Sequence, residues 1–177
     1  MKQNHSLITR LTGMVFLISV LTSCTRSRTV DDGSYFEDFD NLKHWNHDAK
    51  VTNEMAHSGS YAAYTDSFND FSQTFEMEYG FAKSKKYRTM MVSAWCYKTL
   101  DDPKAGLVAS VESPEKQLSY SSSDLSKSMS EVNQWEQVSV FLELPGQAPE
   151  HSKIKVYLWS PGKNKVYMDD VLIEFGK

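Results

Sequence analysis

No window of helical length in this 177-residue chain carries an apolar stripe, and this absence excludes a helical bundle. A clustered basic stripe is also missing. The nearest candidate, Lys83 with Lys85, Lys86 and Arg88, is short and interrupted, so it reads as a solvated loop or strand start rather than a surface for phosphate backbones. The longest apolar run, Leu11 to Leu21, is too short to span a bilayer. Catalytic signatures are equally sparse. There is no Gly-x-Ser-x-Gly elbow, and His44, His47, His57 and His151 lack metal-ligand spacing of the helical kind. Glu76 and Glu78 share one strand face, as a pair of glycosidase carboxylates would, but beside an alternating apolar set they read as an exposed polar face. The chain is therefore expected not to be an enzyme.

Cysteine is nearly absent as well, and one of the two is informative by position. Leu21-Thr22-Ser23-Cys24 follows a hydrophobic segment flanked by Lys2 and Arg10, and this arrangement resembles the signal of bacterial lipoproteins. The resemblance implies a signal peptide over 1–23 and an acylated Cys24. It also implies a membrane-anchored protein of the cell envelope, with Thr25 after the Cys pointing to the outer membrane. Loss of Lys2 and Arg10 with that segment takes the net charge from −4 to −6, against a nucleic-acid partner. Residues 24–34 are polar and without periodicity, as expected of a tether. With Cys24 acylated, Cys96 has no disulfide partner. It alternates with Val92 and Ala94, which predicts a buried, inert thiol.

From residue 35 to 177 the apolar pattern has period two. It runs through Phe71, Gln73, Phe75, Met77 and Tyr79; Val92, Ala94 and Cys96; Val138 to Leu144; Ile154, Val156 and Leu158; and Val166, Met168, Asp170 and Leu172. Turn clusters at 56–60, 101–103, 144–146 and 160–164 separate these runs. An all-β, two-sheet antiparallel sandwich in one domain is expected. The Ser-rich stretch 119–130 predicts an exposed loop that Tyr120, Leu125 and Met129 would dock on the sheet.

Five landmarks recur in order: Phe39-Asp40 before Trp45, His57-Ser58-Gly59-Ser60-Tyr61-Ala62, Val92-Ser93-Ala94-Trp95, Trp135 to Val140, and Val166-Tyr167-Met168-Asp169-Asp170-Val171. Together they resemble the galactose-binding-like jelly rolls of carbohydrate-binding modules. The resemblance implies a polysaccharide or oligosaccharide ligand bound without catalysis, and a structural Ca²⁺ held by Asp169 with Glu37 or Asp40. Hydrogen bonding of those acids to loop amides is the alternative. A structural or adhesion-type lipoprotein that contacts another protein is the alternative function.

Alternation sets Trp95 and Tyr97 opposite Val92, Ala94 and Cys96, and Tyr157 and Trp159 opposite Ile154, Val156 and Leu158. If both strands lie in one sheet, the four rings form a platform for sugars. If the aromatic sides face the second sheet, they are core. Gln73, Glu76 and Lys98 are the polar residues expected to flank a sugar, while Trp45 and Trp135 are expected to be core plugs.

Overall fold

The alternating runs at 92–96, 154–158 and 166–172 become inner strands of two sheets, and the run at 138–144 becomes an edge strand. The computed structural model describes residues 33–41 and 50–177. Cys24, the segment 1–23, Trp45 and the expected tether up to residue 32 lie outside the described residues. In chain order the elements are β1 (Ser34–Glu37), β2 (Val51–Thr52), β3 (Ala62–Thr65), β4 (Phe75–Glu78), α1 (Tyr79–Ser84), β5 (Thr89–Lys98), β6 (Gly106–Glu112), β7 (Gln117–Asp124), α2 (Leu125–Ser128), β8 (Trp135–Glu143), β9 (Lys153–Trp159) and β10 (Val166–Gly176). One sheet has the order β2-β3-β10-β5-β8, with β1 also on β10, and the other has the order β4-β9-β6-β7. All pairs are antiparallel, giving the expected two-sheet sandwich of jelly-roll type. Among the described residues no helix is long and apolar enough to cross a membrane.

The inner faces bury Val92, Ala94, Cys96, Val138, Val140 and Leu142 from the first sheet against Leu107, Ala109, Val111, Ile154, Val156 and Leu158 from the second. Cys96 is fully enclosed, and burial pushes its thiol up to about 12, as an inert core cysteine requires.

Three expectations change. The Ser-rich stretch is a strand over its first half, to Asp124: β7 pairs with β6 from Gly106↔Asp124 onward, because the ladder satisfies its backbone whatever its side chains are. Leu125 and Met129 do dock in the core. The run from Phe71 to Tyr79 is a strand only over Phe75–Glu78, since α1 begins at Tyr79 and Phe71 makes one isolated bridge to Trp159. Finally, β10 does not keep one face throughout. Its register against β5 shifts between Asp169 and Leu172, with Asp170 at φ 46°, so the core face passes from Val166 and Met168 to Val171 and Ile173.

Candidate functional site

The bulge in β10 organises the outer face of the first sheet. Along one edge of β10, β3 pairs with 166–168 and β1 with 171–174, which leaves Asp169 and Asp170 without a strand neighbour on that side. Their carboxylates take the loop instead. Asp169 Oδ2 accepts from the amides of His57 (2.7 Å) and Ser58 (3.1 Å), and its Oδ1 accepts from the Asp170 amide (2.8 Å). Asp170 accepts from the Ser58 hydroxyl at 2.6 Å and lies 2.5 Å from His57 Nδ1. Gly59 at φ 59° turns the loop, and Asp40 accepts from the Ser60 amide just beyond. Burial raises Asp169 to about 6, although the amides of Ser58, Asp170 and His57 oppose it.

This loop lies over Trp95. The His57 ring stacks on Trp95, and Trp135 meets His57 edge-on and Tyr97 at a tilt. Trp135 is thus not a core plug. It pairs with Tyr97 on the outer face of the sheet, half-buried, because cross-strand partners share a face.

The residues expected for Ca²⁺ do not fit one. Glu37 lies opposite Val171 on the inward face and accepts from the Phe39 amide, whereas Asp169 lies opposite Trp95 on the outward face. Asp40 is turned to Ser60, and among the described residues no three His, Cys, Asp or Glu side chains gather to hold a metal. The amides do for Asp169 what a cation was expected to do.

Trp95 and Tyr97 belong to the first sheet, Tyr157 and Trp159 to the second, so the four rings cannot form one platform. Sheet membership is a long-range property that alternation within a strand does not carry. On the outer side of the second sheet three rings reach solvent. Trp159, Phe71 and Tyr120 are each 38–45% exposed. Phe71 lies nearly parallel to Trp159, with centroids 6.5 Å apart, and meets Tyr157 edge-on at 5.6 Å.

Gly106 sits between Trp159 on β9 and Asp124 on β7 in a single cross-strand row. With no side chain at Gly106, a cleft of about 480 Å³ opens beside the indole, floored by Gly106 and Val108 and walled by Ser122, Asp124, Lys127, Asp102 and Lys104. Its charges are paired: Lys104 with Asp102 at 2.5 Å and Lys127 with Asp124 at 3.5 Å. The Lys104 hydrogen bond holds Asp102 below the usual carboxylate range, and the hydrogen bond from Ser126 does the same for Asp124. Further along the face, Lys155 lies between Glu112 (2.8 Å) and Glu76 (3.8 Å), and Lys153 also meets Glu76. Glu76 is therefore paired with two lysines.

Of the other polar candidates, Gln73 is buried and accepts from the Lys50 amide, and Lys98 is buried and donates to the Met129 and Asp101 carbonyls. Neither can flank a ligand. Sequence reasoning missed Phe71, Val108 and Asp124 as a group, because they come from the loop before β4, from β6 and from β7, and only the tertiary pairing brings them to one side.

No protein-family model matches the chain, and no curated protein is significantly similar to it. Solved structures similar to it include the CBM22-1 xylan-binding domain of Xyn10C from Paenibacillus barcinonensis, with 16% identity over 80% of this chain and 93% of that one and a TM-score of 0.49. The C-terminal family 22 carbohydrate binding module of Clostridium thermocellum Xyn10B has 14% identity over 82% of this chain and 96% of that one, with a TM-score of 0.49. TmCBM61, solved with β-1,4-galactotriose, has 12% identity over 85% and 99%, with a TM-score of 0.41.

Proposed function

We propose that the chain is a non-catalytic glycan-binding protein whose ligand lies on the outer face of the second sheet. The cleft beside Trp159 carries this reading: one exposed indole wall faces a wall of hydrogen-bonding side chains whose charges cancel in pairs. A neutral sugar matches that surface, since its C–H face stacks on the ring while its hydroxyls meet carboxylate and ammonium groups. Tyr157 and Trp159 are the ligand-binding pair, and Trp95, stacked under His57, is not. Stacking of order 1 kcal/mol per ring gives weak binding, roughly micromolar to millimolar.

The test is calorimetric titration of the protein with neutral oligosaccharides, beside an assay for released reducing ends. Binding that Trp159→Ala reduces several-fold, without product release, supports the reading. Unaltered binding by Trp159→Ala overturns it. Attachment to the cell envelope through acylated Cys24 belongs to the same proposal. Cys24→Ala is expected to leave the membrane fraction or stall as precursor, and a variant that still fractionates as a mature acylated protein refutes the anchor.

A second reading, contact with another protein, has its own observation. On the outer face of the first sheet Met91 (38% exposed) pairs with Phe141 (47%), and Phe36 pairs with Leu172 two positions along the sheet. Loss of a co-purifying envelope protein on Phe141→Ser, with glycan binding intact, favours that role.

A further inference from the structure

The loop before β4 holds an aromatic side chain that the sandwich does not use. Phe68 is 90% exposed, the most exposed large apolar residue described. Its turn is well fixed. Asp66 Oδ1 accepts from the Phe68 amide (2.9 Å), the Asn69 amide (2.9 Å) and Asn69 Nδ2 (3.0 Å), while the Asn69 amide also reaches the Asp66 carbonyl and the Asp66 amide reaches the Asn69 carbonyl. The loop is then stitched to the end of β9. Ser160 donates its amide to the Asp70 carbonyl at 2.8 Å, Lys50 Nζ donates to the Phe71 carbonyl at 3.2 Å, and Phe71 bridges Trp159. A ring held out in water by a rigid turn, three residues from a ring lying parallel to Trp159, gains apolar contact only from something bound outside the fold.

We infer that Phe68 is a further ligand contact, one that extends the aromatic row of Trp159 and Phe71 past the edge of the second sheet, so that the site engages an extended chain of several neutral sugars rather than one or two. The inference rests on the glycan-binding reading and deepens it. Phe68 is three positions before Phe71, a backbone reach of at most about 11 Å, so the two rings fall within the span of a few consecutive sugars. A row of rings along one line selects a chain whose successive sugars present apolar faces to the same side. Asp66 is the positioning residue, because its carboxylate fixes the turn and makes no demand on the ligand.

The experiment is titration of the full chain with cello- and xylo-oligosaccharides of two, four and six units, for the unaltered protein, Phe68→Ala, Phe68→Tyr, Asp66→Ala and Trp159→Ala, with a melting curve for each. Affinity is expected to rise with length. Phe68→Ala is expected to remove about fivefold from hexasaccharide affinity, leave disaccharide affinity and the melt unchanged, and be rescued by Phe68→Tyr. Asp66→Ala is expected to lose part of the length gain while Phe68 is intact. Trp159-dependent binding that Phe68→Ala leaves unchanged at every length overturns this inference and spares the function. Failure of every oligosaccharide to bind overturns both. A shift of Phe68→Ala from dimer to monomer in sedimentation, with binding unchanged, assigns the tip to self-association and also overturns it.

Discussion

The His57 ring lies flat on the Trp95 indole, with centroids 4.1 Å apart and planes 12° from parallel, while its Nδ1 is bound to Asp170. A side chain clamped at both its ring face and its nitrogen closes the surface beneath it. The two aromatic pairs of this sandwich, equivalent by alternation, thereby acquire different surroundings.

Trp95→Ala is expected to lower stability by about 1–3 kcal/mol, since it removes the floor of the His57 loop, and to leave glycan affinity unchanged. Trp159→Ala is expected to do the reverse. Denaturant unfolding and calorimetric titration of both variants check the contrast, and equal loss of binding in both would return the first sheet to the site.

Asp169→Asn keeps the shape of the side chain but replaces one acceptor oxygen with a donor. Three amides point at the original carboxylate, so the variant leaves at least one of them facing an N–H. A loss of about 1–3 kcal/mol is expected in urea titrations. A stability within error of the unaltered protein would show that the loop is held elsewhere.

The same residue gives a pH signature. Its folded-state value of about 6 lies above the ordinary aspartate value of 3.8, so between these two the folded protein binds more protons than the unfolded chain. The contribution of Asp169 is therefore most favourable below pH 3.8 and is lost as pH rises through 6. Asp66, Asp102 and Asp124 are lowered and run the other way, so the measurement is a difference. The stability of the unaltered protein minus that of Asp169→Asn is expected to fall between pH 4 and 6.5. A flat difference removes the effect.

Because loop amides already compensate Asp169, and Glu37 faces the other side of the sheet, EDTA is expected to leave the melting temperature unchanged. A fall of several degrees that Ca²⁺ restores would put a cation between the chain ends after all.

Cys96, fully enclosed and with its thiol pushed up to about 12, is expected to resist a thiol reagent in a Cys24→Ser chain until denaturant unfolds the core. Reaction at the rate of an exposed thiol would contradict its burial.

Local pattern carried much of the architecture. Alternation through Val92, Ala94 and Cys96, and through Ile154, Val156 and Leu158, sufficed to identify two core strands and the side on which each displays its rings, because side-chain direction along a strand depends only on the pleat. Cys96 as a core thiol, the near absence of helix and the docking of Leu125 and Met129 follow from the same local reasoning. The Ser-rich β7 did not, because a strand paired through its backbone needs no apolar signature.

What tertiary structure alone decided is where those strands lie relative to one another. Trp95 and Trp159 are alike in sequence context, yet pairing placed one beside β10 and the other beside β6, on opposite outer faces. The bulge at Asp169 and Asp170 then brought His57 over the first ring, and Gly106 left the space beside the second open. Each of these depends on contacts between residues 50 or more apart in the chain. The chain pattern specifies which residues face outward; only the register specifies which of them remain uncovered.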